Sequence, residues 1–513
     1  MSGYLRRLAT TGAAYTAASI LSKVIAVALL PLYTRHLTLA DYGVAEVLFA
    51  AVVFASIVVR LGLIEAILRF YYQEDEDPGR VVAGTFAGLF WLSTLGALLA
   101  LPFAGPLSEL LLDESAPGLM RIAIGGLWVL TMWEFMLTLF RLEERARAFF
   151  LTTILNVVAA IALTVVLVVG LDEGARGLLL GSYATGAAFV LALIALQWRH
   201  LSLRVDPALL RRLFRFGLPT MPAEVSLYAL NFVDRLIVLR SVGAAEAGLY
   251  SLAVKFAQAV NVLVRGFQLA WPPLAYSIRD DEEARRLYAT VVTLFVAACA
   301  FVVTGMWLFS RWIVRALAAP KFFDSWEAIG LVSTAVTLYA LYLVLVVILG
   351  RTGRTEFNLP AAIGALVVNV ALNLVLVPSL GIVGAGLALV ASYMVVLGLM
   401  YVFTQRLFPV PYEWGRLLRV TLTVAALVGI AELLVPTEGA LGLLLRAALF
   451  SAYPLVLWLS GFFSDEERQW LERLRHPREV MASFAALRAQ PAAVDGRIPE
   501  TYEVERMDED LRS

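Results

Sequence analysis

Apolar runs long enough to cross a lipid bilayer follow one another along almost the whole of this chain. A helix needs about 20 predominantly apolar residues to span the hydrocarbon core, and short polar clusters separate runs of this length here. Of the 513 residues, 60% are hydrophobic and only 16% are charged, against roughly 25% charged in an ordinary soluble domain. A barrel is disfavoured because its strands alternate apolar and polar residues over about 10 positions. The sequence therefore predicts an all-α membrane protein.

The apolar runs predict about fourteen transmembrane helices. The predicted spans are residues 12–33, 43–67, 82–103, 119–140, 149–169, 178–197, 216–239, 248–272, 288–309, 328–349, 361–378, 383–404, 417–435 and 441–462. The first span follows a short basic segment without a small-residue cleavage pattern, so we expect it to be retained. An even number of spans places both termini on one side of the membrane.

Arginine and lysine are distributed unevenly between the two sets of loops. One set carries Arg6, Arg7, Arg69, Arg80, Arg141, Arg145, Arg147, Arg199, Arg204, Arg211, Arg212, Arg215, Arg279, Arg285, Arg286, Arg351, Arg354, Arg406, Arg416 and Arg419. The other set carries only Arg35, Arg121, Arg176, Arg240, Arg311, Arg315 and Lys321. Cytoplasmic loops carry the excess of positive charge, so we expect a cytoplasmic (inner) membrane protein with both termini cytoplasmic. The two ends of the helix bundle are called the inner and outer ends on this basis.

The two halves of the chain share short patterns at the turn between their first two helices. Arg35, Ala40, Asp41 and Gly43 recur as Arg240, Ala245, Glu246 and Gly248, and Ser182 and Tyr183 recur as Ser392 and Tyr393. The repeat predicts two pseudo-repeated six-helix lobes plus two C-terminal helices, with a substrate site between the lobes. The predicted domains are an N-terminal lobe (1–197), a cytoplasmic linker (198–215), a C-terminal lobe (216–404), two additional helices (405–462) and a cytoplasmic polar tail (463–513).

Charged and amide side chains inside the predicted spans are the main functional signal. A charge at the bilayer centre costs at least about 2.5 to 3.5 kcal/mol, so such groups usually face a bundle interior or a water-filled cavity. Lys23 lies in span 1 and Arg60 in the inner half of span 2. Helical spacing places two further sets on single faces of spans 7 and 8, namely Glu224, Tyr228, Asn231 and Arg235, and Lys255, Gln258, Asn261, Arg265 and Gln268. These stripes predict a wet central cavity.

The basic groups indicate an anionic substrate, because guanidinium and ammonium groups bind phosphate strongly where water is scarce. The candidate substrate-binding residues are Lys23, Arg60, Arg265 and Lys255. The candidate cavity or ion-coupling residues are Glu224, Asn231, Asp234, Arg235, Gln258 and Asn261. Several have a structural alternative: Asp234 and Arg235 would cap or pair near the outer end of span 7, and Glu224 would form a structural hydrogen bond.

Other classes of site find little support in the sequence. The single cysteine, Cys299, excludes an intramolecular disulfide, and the three histidines are dispersed, so no metal site is predicted. A net charge of zero gives no sign of a nucleic-acid partner. The segment 350–354 lacks the lysine of a phosphate-binding loop. We expect no catalytic residues and no cofactor, with a Na⁺ or H⁺ gradient or substrate consumption as the driving force.

Three motifs connect the chain with a known family. They are Pro31-Leu32-Tyr33-Thr34-Arg35 followed by Asp41-Tyr42-Gly43, Asn231-Phe232-Val233-Asp234-Arg235 followed by Ala247-Gly248-Leu249-Tyr250-Ser251, and Asn373-Leu374-Val375-Leu376-Val377-Pro378 running into Gly381-Ile382-Val383-Gly384-Ala385-Gly386. With these motifs the chain resembles, over about residues 8–462, the polysaccharide flippases of the Wzx-like branch of the multidrug/oligosaccharidyl-lipid/polysaccharide (MOP) exporter superfamily.

The resemblance implies a MATE/MOP-like monomer that moves a polyprenyl-diphosphate-linked oligosaccharide from the cytoplasmic to the outer leaflet by alternating access, for surface polysaccharide biosynthesis. The implied partners are that substrate, membrane lipids, and a polysaccharide polymerase with other assembly proteins. In similar proteins, basic residues on helices 1, 2 and 8 are associated with the lipid diphosphate, and Lys23, Arg60 and Arg265 occupy those helices here.

Three alternatives remain open at this point. A lipid II flippase differs mainly in its substrate. A MATE-like cation-coupled drug exporter would rest on acidic cavity residues, such as Glu224 and Asp234. A membrane glycosyltransferase or polymerase commonly carries a large outer loop with catalytic carboxylates, whereas the longest outer loops here, around 106–119 and 310–328, are short.

Overall fold

A computed structural model describes residues 21, 25, 27–73, 77–465 and 467–468. Within these residues the regular secondary structure is helical and contains no strand, which confirms the predicted fold class. The chain divides into two compact units, residues 1–453 and 454–513. The predicted transmembrane helices lie in the first unit except for the end of the last one.

The helices follow one another with short connections. They are α1 (Leu30–His36), α2 (Leu39–Arg60), α3 (Leu63–Phe70), α4 (Pro78–Ala100), α5 (Ala104–Leu112), α6 (Pro117–Leu142), α7 (Ala146–Val165), α8 (Gly174–Gln197), α9 (Pro207–Val242), α10 (Ala244–Ala257), α11 (Val260–Ser277), α12 (Asp281–Leu317), α13 (Trp326–Arg351), α14 (Asn358–Leu407), α15 (Trp414–Leu434) and α16 (Gly439–Leu459). Short 3₁₀ or π turns occupy Leu101–Phe103, Val166–Gly170, Pro320–Ser325 and Thr355–Phe357.

By length and hydropathy, 10 helical segments of the described residues could cross a membrane. The predicted number of fourteen is not confirmed, and the difference has identifiable sources. Span 1 lies largely outside the described residues, and α14 runs for 50 residues through both span 11 and span 12. Helices α9, α10 and α11 are not among the 10, because their windows are shorter or more polar. These three helices carry the polar stripes predicted for spans 7 and 8.

Two predicted spans are broken rather than continuous. Leu61 and Gly62 both have a left-handed backbone, with φ of 47° and 74°, and this break separates α2 from α3 within predicted span 2. Predicted span 8 is interrupted at Gln258 and Ala259, between α10 and α11. By contrast, spans 11 and 12 join into α14 with a kink at Gly381, where φ is 54° and ψ is −133°.

Side-chain caps explain where several helices begin. Thr38 and Asp41 form a capping box at α2, in which the Thr38 hydroxyl oxygen accepts a 3.0 Å hydrogen bond from the Asp41 backbone N–H. Asp77 and Asp206 cap α4 and α9, and a proline follows each of them at the first helical position. Because α9 begins at Pro207, the part of the predicted 198–215 linker from residue 207 onward is helical.

Ion pairs join loops that the charge pattern assigns to the same end of the bundle. At the inner end, Arg80 lies 2.5 Å from Asp206, and Arg351 lies 2.8 Å from Asp281. At the outer end, Arg240 lies 3.1 Å from Asp113 and also donates to the Leu110 carbonyl. Each of these ion pairs therefore joins two loops that the predicted topology places on the same side of the membrane.

The apolar core of the first unit lies between the helices in two clusters. The larger cluster joins α2, α10, α12, α13 and α14, and includes Tyr42, Tyr250 and Trp271, which are nearly inaccessible to solvent. The smaller cluster occupies the inner half of α3, α4, α6 and α9, around Phe86 and Phe135. Large apolar side chains on the outside of the bundle remain exposed, as expected of helices that face lipid.

Candidate functional site

A polar cavity lies among helices α9, α10, α11, α13 and α14. It consists of two adjoining compartments of about 290 and 310 Å³. Both compartments are lined by Tyr228, Asn231, Gln258, Asn261 and Tyr339. We call this space the central cavity. Most residues of the predicted stripes of spans 7 and 8 line this space together.

The helices place neutral hydrogen-bonding groups along the wall of the central cavity. Helical spacing brings Tyr228 and Asn231 to one face of α9. The Asn231 amide donates to the Tyr393 hydroxyl at 3.4 Å, and the Tyr393 ring packs 5.5 Å from that of Tyr339. At the break between α10 and α11, the Asn261 amide donates to the Gln258 side-chain oxygen at 2.5 Å. Amide and phenol groups therefore dominate the shared wall.

Arg60 reaches the inner part of this region from α2. Its Nε donates to the Ser56 carbonyl at 3.2 Å, and its terminal nitrogen lies 3.7 Å from a carboxylate oxygen of Glu224. The Arg60 side chain is 11% exposed, whereas Glu224 is 41% exposed and lines the cavity. The structure thus brings the predicted residues Arg60 and Glu224 together in a long ion pair, open on the side of the carboxylate.

Arg235 and Arg265 also line the central cavity, together with Gln268. In the described part of the chain, neither arginine lies within 4.0 Å of a carboxylate. The Arg235 Nε is buried and has no hydrogen-bond partner there. Because an arginine inside a membrane protein normally pairs with an anion, these two side chains are available for an anionic ligand.

Lys255 and Lys23 do not join this group. Lys255 lies 2.5 Å from the Glu46 carboxylate and 5.0 Å from the centre of the Tyr42 ring, and it is not part of the lining. The Glu46 side chain is only 7% exposed, so the pair ties α10 to α2 away from the cavity. Lys23, the remaining predicted substrate ligand, lies outside the described residues.

Asp234 points away from its neighbour Arg235 and into a buried network. Its carboxylate accepts hydrogen bonds from the amides of Asn369 and Asn373, at 2.8 and 2.7 Å, and from the Tyr250 hydroxyl at 3.0 Å. Asp234 is inaccessible to solvent, and the side-chain oxygens of Asn369 and Asn373 are buried without a partner in the described structure. These contacts agree with a structural role for Asp234, which was the alternative to a role in the cavity or in ion coupling.

Sequence reasoning missed several members of these sites. Asn369 and Asn373 stand one helical turn apart on an otherwise apolar span, and this spacing was the available signal for the Asp234 network. Tyr339 and Tyr393 gave no comparable signal, because aromatic residues in apolar helices are most often core residues. Among the described residues no group of three His, Cys, Asp or Glu side chains could hold a metal ion.

Comparison with known proteins places this arrangement in a family. Residues 9–277 match the family model described as polysaccharide biosynthesis protein. Over 325 residues the chain is 26% identical to the succinoglycan biosynthesis transport protein ExoT of Rhizobium meliloti strain 1021. The aligned region covers 59% of this chain and 61% of that protein. The chain thus matches less than two thirds of the length of that relative.

Solved structures show the same fold. The lipid II flippase MurJ, in an inward closed conformation, superposes with a TM-score of 0.67 at 11% identity, over 87% of this chain and 97% of that one. A multidrug resistance MATE family transporter of the MOP superfamily, in an inward-facing conformation, gives a TM-score of 0.63 at 16% identity, over 78% and 95% of the two chains. At these identities the similarity establishes the MATE/MOP-like fold alone.

Proposed function

Because the chain belongs to the polysaccharide biosynthesis protein family, we propose that it is a flippase for a polyprenyl-diphosphate-linked oligosaccharide. It moves this lipid from the cytoplasmic to the outer leaflet by alternating access. The observation that carries the proposal is the central cavity, where Arg265 has no carboxylate within 4.0 Å among the described residues and Arg60 has only a long contact with Glu224. A cationic site inside the helix bundle suits a substrate with a phosphate headgroup.

The ion pair of Arg60 and Glu224 gives the diphosphate a way to bind. The pair is long, at 3.7 Å, and Glu224 is partly exposed. A diphosphate oxygen forms a stronger, shorter contact with a guanidinium group, so it can displace the carboxylate. Glu224 then turns into the water of the cavity. In this mechanism Arg60 and Arg265 hold the diphosphate, and Glu224 is the resident counter-ion that keeps Arg60 paired when no substrate is bound.

The charge of the cavity favours this function over export of cationic drugs. A cation exporter needs unpaired carboxylates in the cavity. Glu224 is paired with Arg60, and Asp234 is turned into a buried network of neutral donors. A lipid II flippase would use the same diphosphate contacts and differ in the sugar and peptide that it accepts, so substrate assays must separate these two functions.

A coupling ion is part of the proposal. Asp234 combines a buried carboxylate with the two unpartnered amide oxygens of Asn369 and Asn373. These oxygens suit a small hard cation, and the carboxylate suits a proton. We therefore expect Na⁺ or H⁺ to act here. Substrate transport into proteoliposomes under an imposed Na⁺ or pH gradient identifies the ion, and transport unaffected by either gradient contradicts the coupling.

The experiment that tests the proposal is complementation of a flippase-deficient strain. Arg60→Gln and Arg265→Gln should each abolish export of lipid-linked oligosaccharide while the protein remains in the membrane at its normal level. Arg204→Gln, at an exposed arginine of the loop before α9, is the matched control and should retain activity. Full activity of both cavity variants would overturn the proposal.

The cellular setting follows from the same function. We propose that the protein lies in the cytoplasmic membrane with both termini on the cytoplasmic side, and that it works with a polysaccharide polymerase and other assembly proteins. A reporter fused after Ser464 should be active only in the cytoplasm. A periplasmic reporter signal would reverse the orientation, and co-purification with a polymerase tests the partner.

A further inference from the structure

The two unpaired arginines both line the compartment of about 310 Å³, where they lie toward opposite ends along the helix axes. Arg235 stands about two helical turns beyond Tyr228 toward the outer end of α9, or about 10 Å at 1.5 Å per residue. Arg265 stands about two turns beyond Gln258 toward the inner end of α11. Tyr228 and Gln258 belong to the wall between them. This compartment is therefore a strip with one arginine of its lining toward each end.

The inner end offers two guanidinium groups to a ligand, with Glu224 as the counter-ion of Arg60. Arg265 lies on this side, and Arg60 approaches it from α2, at the inner end of that helix. Two guanidinium groups match a diphosphate, which carries more than one negative charge. The outer end has Arg235 alone, which matches a single charge.

Among the described residues, no carboxylate lies within 4.0 Å of Arg235. Its chain neighbour Asp234 is held by Asn369, Asn373 and Tyr250, with its carboxylate directed away from the cavity. The Arg235 Nε is buried without a partner in the described structure. Keeping an unpaired guanidinium at this depth is costly unless an anion from elsewhere binds it. An anion that enters the cavity can reach Arg235, because Arg235 forms part of the lining.

The wall between the two arginines is chemically neutral and rich in both donors and acceptors. Asn231, Gln258 and Asn261 offer amide groups, and Tyr228 and Tyr339 offer hydroxyls and ring faces. Sugar hydroxyls also donate and accept, so they can replace water along this wall without leaving polar groups unpaired. A polyprenyl chain would leave these groups unsatisfied. The strip therefore fits the glycan rather than the lipid tail.

We propose that the flippase carries an acidic oligosaccharide and that Arg235 binds a carboxylate, or another singly charged substituent, of the glycan. The diphosphate occupies the inner end, at Arg265 and Arg60, and the sugars lie along the amide and tyrosine wall. This inference rests on the proposed function and adds the substrate class. Arg235 then selects acidic glycans, while Arg265 contributes to binding of every lipid diphosphate.

Binding of three synthetic probes to the purified full-length protein in nanodiscs tests the assignment. The probes are farnesyl diphosphate, the same lipid linked to glucose, and the same lipid linked to glucuronic acid. The wild-type protein should bind the glucuronic acid probe roughly tenfold more tightly than the glucose probe, because one charge-assisted contact is added. Arg235→Gln should remove this difference and leave the affinity for farnesyl diphosphate unchanged. Arg265→Gln should weaken binding of all three probes.

Arg235→Lys serves as the matched control for folding, since it keeps the charge and should keep part of the preference for the acidic sugar. Equal affinity of the wild-type protein for the two sugar probes would overturn the inference and leave the flippase proposal standing. So would an Arg235→Gln variant that loses affinity for all three probes equally, because Arg235 would then be a diphosphate ligand. Failure of farnesyl diphosphate itself to bind would overturn the proposed function and this inference with it.

Discussion

Gly43 of α2 and Gly248 of α10 pack backbone against backbone where the two helices cross. A Cβ atom at Gly43 would collide with the Ala244 carbonyl and the Gly248 amide, and one at Gly248 would collide with the Leu39 carbonyl. The two glycines hold equivalent positions in the repeated sequence pattern. The repeat is therefore also a contact surface, in which each copy provides the small residue that the other copy needs.

Gly43→Leu should destabilise the protein through this crossing. The added side chain meets backbone atoms that cannot rotate away, and overpacking of this kind typically costs about 1 to 3 kcal/mol or more. The melting temperature in detergent should fall. Gly125→Leu is the matched control, because it lies within α6 with no atom close to an added Cβ. Equal melting temperatures of the two variants would contradict the close contact.

The pair of Glu46 and Lys255 should couple strongly in a double-mutant cycle. Lys255→Met leaves the buried Glu46 carboxylate without its partner, and losing one member of a buried ion pair costs about 3 to 5 kcal/mol. Adding Glu46→Gln should restore much of the stability, because the second change removes the unpaired charge. Thermal unfolding of the two single variants and the double variant measures the coupling. Additive effects would show that the 2.5 Å contact contributes no interaction energy.

The sequence located the central cavity better than it located the individual ligands. Helical periodicity and the cost of polar groups in a membrane both act within a single helix, and they predicted Gln258, Asn261 and Arg265 on one face. All three residues line the cavity. Lys255 belongs to the same stripe, but its partner Glu46 lies on α2. Periodicity within one helix cannot reveal a partner on another helix.

The neighbours Asp234 and Arg235 show the same limit. Successive residues of a helix point about 100° apart, so the two side chains could not share one environment. Periodicity placed Arg235 on the predicted cavity stripe, but it gave no indication of the partners on other helices that hold Asp234. The helix breaks at Leu61 and Gln258 also escaped prediction, because tertiary packing offsets the propensity of a continuous apolar run.

Asp206 should make the inner end of the bundle sensitive to acid. Hydrogen bonds from the Leu209 backbone N–H and from Arg80 hold the pKa of its carboxyl below the ordinary range. A depressed pKa means that this contribution to stability is present above the unfolded-state value, near 4, and is lost as the pH falls through the lower folded-state value. The melting temperature of Asp206→Asn should thus be below that of the wild type at pH about 7, with the gap closing as carboxylates become protonated. A gap that is constant with pH would contradict this assignment.

Arg446 should hold the additional helices to the rest of the first unit. Although it is only 1% exposed, it donates to the carbonyls of Leu308 on α12 and Ala431 on α15, and it lies 2.7 Å from Glu432. Arg446→Met removes all three contacts and should lower the melting temperature by several degrees. Leu444→Ala, on the exposed side of the same helix, is the control and should change it little. An unchanged Arg446→Met protein would show that apolar packing alone holds these helices.

Helix α2 touches the second half of the chain near both of its ends. The Gly43 contact with α10 lies at the outer end, and just beyond its inner end Gly62 packs against the backbone of Gly217 on α9. Because α2 is one continuous helix between these two contacts, its two ends would move together as a rigid body. The left-handed break at Leu61 and Gly62 lies beside the inner contact and separates α2 from α3 there. In the proposed flippase these two contacts would have to separate in turn, because separating both at once would leave a continuous path for ions across the membrane.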